Sequence, residues 1–332
     1  MPCTVIAGGF WGDEGKGKII SYLALKDRLD FCVRTGSVNA AHTIWFEGKR
    51  YALHMVPGGF VTEKCRLLIA AGANVHVAQF LREVEETSVK NRIGVDSQAS
   101  IIEEKHSTED KASGYLKGLG TTGWGVGPAI EERVRRTAKL AKDIPELKPY
   151  LADVATETNQ AIDADKKVVL EGTQGLLLSL FHGTYPYVTG RDTSASAICS
   201  EAGVGPTKVD QVVLVFKSFV TRVGTGPLPD EMSKEEAIKR GWFETAAGTG
   251  RDRRSAPFSF ELARKAAMIN GATHLAVTKL DCVFPECQGV RTYERLPVEA
   301  KQFIERIEYE TNVPVSLIGT GPDALDLIDR RE

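Results

Sequence analysis

A glycine-rich loop near the amino terminus carries the residues best suited to nucleotide chemistry. Residues 12–18, GDEGKGK, nearly fit the phosphate-cradling pattern G-x-x-x-x-G-K-[ST], but Ile19 replaces the hydroxyl residue that would hold Mg²⁺. Asp13 lies instead among the loop amides, where a carboxylate can act as a metal ligand and as a general base. The alternative is a glycine-rich connector with two solvated acids, Asp13 and Glu14.

Two later loops have compositions suited to binding anions. Residues 120–128, GTTGWGVGP, offer hydroxyls and free amides for a phosphate monoester, and a helix with Arg133, Arg135 and Arg136 follows directly. Residues 248–254, GTGRDRR, form a dense arginine loop that can clamp carboxylates in a bidentate manner. The simpler interpretations are a flexible loop before a basic helix face and a solvated charge run.

A T-K-x-D pattern closes a predicted strand, residues 275–281. Guanine offers N1–H and N2–H donors that the Asp281 carboxylate can accept together, whereas adenine offers no such pair, and the Lys279 stem can cover the ring face. Asp281 therefore favours GTP over ATP and argues against an ATP-dependent ligase of another family. His42, taken alone, is more often structural than catalytic.

Buried strands and amphipathic helices alternate along the chain, which predicts an α/β protein. Predicted strands are residues 4–7, 31–33, 67–72, 167–170, 211–220 and 315–318. One helix is predicted to begin near Lys16, and another to bury Val77, Phe80, Leu81 and Val84. Residues 103–119 are expected to be loop and exposed helix. Because the sequence shows no repeat, low-complexity segment or linker, one domain spanning residues 1–332 is expected.

Composition narrows the class of protein. Hydrophobic residues make up 42% and charged residues 26% of the chain, and the net charge is −2, so neither nucleic acid nor a membrane surface is expected as a partner. The six cysteines lack metal-binding spacing and several lie in apolar runs, which predicts buried free thiols in a reducing compartment. With no signal peptide or long apolar span, we expect a cytoplasmic protein.

Taken together, these motifs resemble the adenylosuccinate synthetase family. They occur in the family's order from Val5 to Asp323, and IIEEKH and EGTQG resemble its archaeal-type branch. The matching segments are WGDEGKGK at 11–18, a NAGHT-like loop at 39–43, the loops at 120–128 and 248–254, T-K-x-D at 278–281 and GTGPD at 319–323. The resemblance implies a single P-loop-related α/β domain around a long, mostly parallel central sheet, and a homodimer.

The resemblance also implies roles for individual residues. The catalytic set is Asp13, His42 and Gln174, with Mg²⁺ held by Asp13 and the backbone of Ala41. The GTP site comprises Gly12, Glu14, Gly15, Lys16, Gly17, Lys18, Lys279, Asp281, Gly319, Thr320 and Gly321. The acceptor-nucleotide site comprises Asn39, Thr121, Thr122, Arg136 (from the partner subunit), Gln174, Thr189 and Val223, and the aspartate site comprises Thr249, Arg251 and Arg253.

The implied reaction is GTP-dependent ligation of L-aspartate to C6 of a 6-oxopurine nucleotide through a 6-phosphoryl intermediate. The departures from the family pattern are Phe10 for Gln, Ala41 for Gly and the run at 254–260, which resembles the phage enzymes that make 2-aminoadenylosuccinate from dGMP for diaminopurine DNA. We therefore expect dGMP, slightly ahead of IMP and ordinary adenylosuccinate synthesis. The alternative of another class is a GTP-binding regulatory protein without ligase activity.

Overall fold

A long β-sheet forms the centre of the computed structural model, which describes residues 3–114, 118–246 and 250–331. The strands are β1 (Cys3–Gly8), β2 (Phe31–Arg34), β3 (His42–Phe46), β4 (Lys49–Leu53), β5 (Arg66–Ile69), β6 (Asn74–Val75), β7 (Ile93–Asp96), β8 (Ser100–Ile101), β9 (Leu151–Ala152), β10 (Val168–Glu171), β11 (Gln211–Lys217), β12 (Val220–Val223), β13 (Arg253–Ala256), β14 (His274–Thr278), β15 (Val315–Gly319) and β16 (Leu327–Asp329). In the described residues, ten of them form one sheet in the order β16-β15-β14-β11-β1-β10-β2-β5-β7-β9. Every neighbouring pair is parallel except β15 and β16, so the predicted fold class is confirmed.

Helices connect the strands and cover the sheet. They are α1 (Lys16–Asp27), α2 (Val77–Glu86), α3 (Glu104–Ala112), α4 (Val126–Arg135), α5 (Val154–Asp163), α6 (Ala195–Ala202), α7 (Lys234–Lys239), α8 (Phe260–Asn270), α9 (Leu280–Val283) and α10 (Val298–Thr311). His76 caps α2 by accepting the Gln79 N–H, as expected for a residue at a helix start. Within the described residues, no helix combines the length and apolarity needed to cross a bilayer.

Both faces of the sheet are buried, which explains why its strands are apolar without alternation. In β1, Val5 and Ala7 belong to one hydrophobic cluster, whereas Ile6 points into the cluster on the other face. The cysteines are free thiols, and all but Cys282 are buried, as predicted.

Three predicted strands are shorter than the sequence indicated, and the one predicted over 67–72 ends at Ile69. The apolar run 211–220 is divided into β11 and β12, because the chain turns at Ser218, whose N–H donates to the Thr278 carbonyl. The strand predicted to reach Asp281 ends at Thr278, Lys279 adopts a left-handed conformation (φ 56°), and Asp281 lies in the single turn of α9. Apolar composition predicted these elements, but tertiary hydrogen bonds set their ends.

The parallel topology brings the predicted motifs to one edge of the sheet. The glycine-rich loop follows β1, the His42 loop follows β2, the EGTQG segment follows β10, and the guanine-side segments follow β14 and β15. Since the carboxyl ends of parallel strands share one edge, ligands of open α/β sheets bind there. This edge is the candidate site.

Candidate functional site

Glu14 organises the glycine-rich loop from inside. Its Oε1 accepts the N–H groups of Phe10 (3.0 Å) and Gly12 (2.8 Å), and its Oε2 lies 2.6 Å from Lys16 Nζ. The Thr278 hydroxyl donates to the Glu14 carbonyl at 2.6 Å, which ties the loop to β14. Glu14 is 1% exposed, so its predicted contact with GTP can come from its backbone but not from its carboxylate.

Two lysines of the loop are held by backbone carbonyls. Lys16 Nζ donates to the carbonyl of Gln174, and Lys18 Nζ donates to the carbonyl of Asp323. Burial lowers the pKa of Lys18 to about 8. A Cβ at Gly319 would lie 3.0 Å from Lys18 Cε, so the glycine lets this side chain pass. The lysines of the loop after β1 thus contact the segments that follow β10 and β15.

His42 lies against the loop and is oriented by two buried charges. A Cβ at Gly17 would lie 3.0 Å from the His42 Cβ, so this glycine permits the close approach. His42 Nδ1 lies 2.6 Å from Glu171 Oε1 and 3.0 Å from Arg34 Nη1, and Arg34 also pairs with Glu171. His42 Nε2 is buried and has no hydrogen-bond partner among the described residues.

The charges around His42 fix its protonation state. Burial and the Arg34 charge lower the pKa of His42 to about 4, although Glu171 opposes them. Burial alone would raise the pKa of Glu171, but Arg34, His42 and the Gly58 amide outweigh it and lower that pKa to about 2. Because ionised Glu171 accepts the Nδ1 proton, His42 is a neutral imidazole whose Nε2 can take up a proton.

Asp13 meets the arginine loop at the mouth of the site. Its Oδ1 lies 2.8 Å from Arg253 Nη2, while Arg253 Nη1 lies 2.6 Å from Glu244 Oε2. The Asp13 side chain is 32% exposed, and its backbone is left-handed (φ 60°). A partly exposed carboxylate is a suitable oxygen ligand for Mg²⁺ and is open to a substrate proton.

Glu244 gathers two lysines as well as Arg253. Lys217 Nζ lies 3.0 Å from Glu244 Oε2 and 2.6 Å from the Thr221 hydroxyl, and Lys279 pairs with Glu244 Oε1. Burial lowers the pKa of Lys217 to about 8. Burial alone would raise the pKa of Glu244, but the three cations hold it well below its ordinary value. The carboxylate is therefore ionised.

The candidates for binding guanine, Asp281, Thr320 and Gly321, differ in which of their groups are available to a ligand. Asp281 Oδ1 is buried without a hydrogen-bond partner in the described part of the chain, and burial raises the pKa of Asp281. An unsatisfied buried acceptor favours a ligand with matching donors. Thr320 is fully buried and its hydroxyl donates to the Val290 carbonyl at 2.7 Å, so this side chain serves the fold. The backbone of Gly321 approaches Asp326, whose side chain a Cβ would strike.

The loops predicted for the acceptor and for aspartate touch each other. Arg251 Nη1 donates to the Gly120 carbonyl at 3.0 Å, and Val223 pairs with Arg253 between β12 and β13. Thr121 donates its hydroxyl to Asp110 Oδ1 at 3.0 Å, which leaves Thr122 as the freer hydroxyl of the loop. These contacts bring the two predicted substrate sites together.

The other candidates lie on the same edge or at the surface. Asn39, Ala41, Gln174 and Thr189 are half-buried in the loops after β2 and β10, and Gln174 is left-handed (φ 62°). Arg136 is exposed at the end of α4 and makes no side-chain hydrogen bond or ion pair with the described residues. Gly15, a candidate for the GTP site, lies in the loop after β1 and offers its backbone amide. Thr249 lies outside the described residues.

Several of the residues that favoured dGMP are in the core, whereas Ala41 and Arg254 are half-buried. Phe10 is 2% exposed, and its ring lies 4.8 Å from that of Phe216 and 5.3 Å from that of Phe258. Ser255 is 1% exposed and donates to the Trp242 carbonyl. Ser194, a further side chain that could have met a 2-amino group, caps α6 and bonds Asp192. Phe10 and Ser255 therefore serve packing and the fold, and they do not support dGMP as the acceptor.

Sequence reasoning missed the buried partners. Arg34, Glu171 and Lys217 are the last residues of β2, β10 and β11. A charged residue directly after a predicted apolar strand was the available signal for Arg34 and Glu171, whereas Lys217 lay inside the predicted run 211–220. Glu244 lies in an irregular segment and gave none. A further group, Glu103, His106 and Glu132, comes close enough to share a metal ion, but Lys105 bridges both carboxylates, so it is an ion-pair network.

Comparisons with known proteins agree with this geometry. A family model described as adenylosuccinate synthetase matches residues 5–146 and 137–286. Adenylosuccinate synthetases of Pyrococcus horikoshii and Archaeoglobus fulgidus are each 52% identical, over 100% of this chain and 99% of theirs. The fully ligated adenylosuccinate synthetase of Plasmodium falciparum is 25% identical with a TM-score of 0.91, covering 99% of both chains. A cyanophage S-2L succinoaminodeoxyadenylate synthetase bound to dGMP and dATP has a TM-score of 0.83 at 24% identity, covering 99% of this chain and 95% of that one, and shows likeness of fold alone.

Proposed function

Because the chain belongs to the adenylosuccinate synthetase family of GTP-dependent C–N ligases, we propose that it joins L-aspartate to C6 of IMP, with GTP as the phosphoryl donor. The products are adenylosuccinate, GDP and phosphate. Membership in a ligase family weighs against the GTP-binding regulatory protein that the sequence left open.

The observation that carries this proposal is the 52% identity to archaeal adenylosuccinate synthetases over the full chain. The preference for dGMP that we expected from the sequence is unsupported. Its main residues, Phe10 and Phe258, pack together in the core, and the cyanophage enzyme is only a distant structural neighbour. IMP therefore replaces dGMP as the proposed acceptor.

In the first stage, Asp13 accepts the N1 proton of IMP, and O6 attacks the γ-phosphorus of GTP as the bond to GDP breaks. Gln174 holds the purine, and Asp281 accepts the two guanine N–H groups of the donor. His42 Nδ1 donates to Glu171 at 2.6 Å, so Nε2 takes up a proton when the anionic phosphates of GTP bind and then donates it to an oxygen of the transferring group. The charged groups around the loop are oriented before the reaction, so they stabilise the charge of the transferring phosphoryl group without reorganisation of water.

Magnesium fits this site because Asp13 offers a partly exposed carboxylate, an oxygen ligand of the kind that the ion prefers. We propose that Asp13 and the Ala41 carbonyl would hold the ion. When bound, it would add positive charge against the phosphate oxygens. Ala41 replaces a glycine of the family pattern, but it contributes through its backbone, which the methyl group does not remove.

In the second stage, the amine of aspartate attacks C6, the bond from C6 to the phosphate oxygen breaks, and the departing phosphate takes the proton that the nitrogen gives up. Arg251 and Arg253 bind the aspartate carboxylates, with Thr249 as a further donor. Arg253 must release Asp13 Oδ1 for that oxygen to serve the first stage, and an incoming carboxylate offers the guanidinium a new partner. The acceptor phosphate lies against Thr122 and the amides of its loop.

We propose a homodimer in which Arg136 contacts the acceptor phosphate of the partner subunit. The support is that Arg136 is exposed and lacks an ionic partner among the described residues. Val134 in the same helix is 75% exposed, so an apolar side chain adjoins the arginine at the surface.

The experiment compares kcat/KM for IMP, GMP, dIMP and dGMP at fixed GTP and aspartate. These four separate the effect of the 2-amino group from that of the 2′-hydroxyl. We expect IMP to be preferred, because a site fitted to hydrogen at C2 excludes the amino group. Preference for dGMP would restore the phage-type reaction, and phosphate release without aspartate would argue against the ligase itself.

A further inference from the structure

Glu244 stands where the proposed aspartate and GTP sites meet. Its Oε2 accepts from Arg253 Nη1 at 2.6 Å and from Lys217 Nζ at 3.0 Å, and its Oε1 pairs with Lys279. Its side chain is only 12% exposed. One carboxylate thus holds a cation from the aspartate side, Arg253, and a cation from the guanine side, Lys279.

The backbone makes Glu244 the base of the arginine loop. The Arg253 N–H donates to the Glu244 carbonyl at 2.9 Å, and Thr245 bridges to Asp252 in the antiparallel sense. The segment 242–245, which leads into the arginine loop, also contacts the guanine side, because the Trp242 indole N–H donates to the Cys282 carbonyl at 3.1 Å. Cys282 follows Asp281 directly, so this segment contacts both the aspartate side and the guanine side of the site.

Arg253 keeps its Nε–H donor for a ligand. Its Nη1 is taken by Glu244 and its Nη2 by Asp13, whereas its buried Nε has no hydrogen-bond partner among the described residues. A buried guanidinium N–H without a partner is costly, and a carboxylate would satisfy it. Fixing Nη1 on Glu244 holds the guanidinium plane in place and thereby aims Nε.

We propose that Glu244 is a positioning residue that presents Arg253 to aspartate and Lys279 to GTP, so that both substrate sites depend on one carboxylate. This inference rests on the proposed function for the identity of the two ligands. Glu244 itself touches neither of them. Its part is to hold two binding side chains in register.

Glu244→Gln tests this with little change of shape. A glutamine has one acceptor oxygen and one donor nitrogen, so it cannot accept from Lys279 at one position and from Arg253 and Lys217 at the other. We expect KM for aspartate and KM for GTP each to rise about tenfold or more, as losing a charge-assisted hydrogen bond implies. KM for IMP should change by less than about threefold, because Thr122 and Gln174 do not touch Glu244.

A direct binding measurement separates this proposal from the reaction. Titration calorimetry of GTP with the free protein should show about tenfold weaker binding in the variant. That result, in a protein that does not turn over IMP, would support the positioning role and overturn the proposed function. Unchanged GTP binding together with an unchanged KM for aspartate would overturn the positioning role.

Two further variants separate the positioning role of Glu244 from an effect on folding. Because Glu244→Gln leaves Lys217 buried without its carboxylate, it can impair folding, and Lys217→Met in the same chain removes that charge. The double variant should fold and still show both raised KM values. Glu236→Gln breaks an exposed pair with Arg240 in α7 and should leave every KM unchanged. A loss of folded protein alone would instead lower the apparent kcat and leave all three KM values unchanged.

Discussion

His42 Nδ1 lies 2.6 Å from Glu171 Oε1, a carboxylate that is fully buried at the end of β10. Glu171 is also bound by Arg34 and by the Gly58 N–H at 2.7 Å. One carboxylate therefore orients the proposed phosphate-stabilising imidazole and joins the loop after β2 to the central strands. Stability and activity are expected to depend on it together.

Glu171→Gln should lower stability in a pH-dependent manner. The pKa of Glu171 is lowered to about 2 from 4.5, so its contribution is fully present above pH 4.5 and is lost as the pH falls toward 2. We expect a difference in the free energy of unfolding of about 3 kcal/mol at neutral pH. Urea unfolding of both proteins at pH 7, 5, 4 and 3 should show a constant difference down to pH 5 and a shrinking one below. A difference that grows on acidification would contradict the assignment.

Phe10→Ala should affect stability rather than acceptor choice. Removing a ring packed against Phe216 and Phe258 leaves a cavity, and we expect a loss of about 3–5 kcal/mol in urea unfolding. The ratio of kcat/KM for IMP and dGMP should stay within about threefold of the parent. Phe181→Ala is the matched control, because Phe181 is 72% exposed. A large shift of the ratio toward IMP in Phe10→Ala would return this residue to the acceptor site.

The sequence predicted the site where local pattern determines structure. Strand β1, the loop after it and α1 follow from an apolar run, glycines and helical spacing, and Asp13 and His42 both lie on the predicted edge. The acceptor argument failed because a position beside a loop does not reveal where its side chain points: Phe10 follows the loop glycines, yet its ring enters the core. Glu244 could not be found at all, since its three cationic partners come from β11, β13 and the turn after β14.

Asp281→Asn should weaken discrimination between GTP and ATP. An amide replaces one of the two acceptor oxygens with a donor, so one guanine N–H loses its partner and meets a like group. We expect kcat/KM for GTP to fall about 100-fold and the preference for GTP over ATP to narrow by a similar factor. Steady-state kinetics with each nucleotide decides this. Glu286→Gln, an exposed neighbour, is the control, and equal use of GTP and ATP by the parent would contradict the role of Asp281.

Arg136→Leu should be inactive alone but rescued by a second inactive chain. In mixed dimers with Asp13→Asn, one site combines an intact Asp13 with an intact Arg136 from the other subunit. Random mixing should restore about a quarter of parental activity, because half of the dimers are mixed and each has one working site. Arg135→Leu, which loses only an exposed pair with Glu131, should stay active without a partner. Absence of rescue, with mixed dimers verified by tagged pull-down, would place Arg136 outside the partner's site.

The fate of the 6-oxygen of IMP distinguishes the proposed reaction from one without a 6-phosphoryl intermediate. If O6 of IMP attacks the γ-phosphorus of GTP, IMP labelled with ¹⁸O at C6 must yield inorganic phosphate that carries the label. We expect one labelled oxygen per phosphate, formed only with GTP and aspartate present, and none with Asp13→Asn, which cannot accept the N1 proton. Mass spectrometry of the phosphate reads this out. Unlabelled phosphate formed together with adenylosuccinate would contradict the proposed reaction.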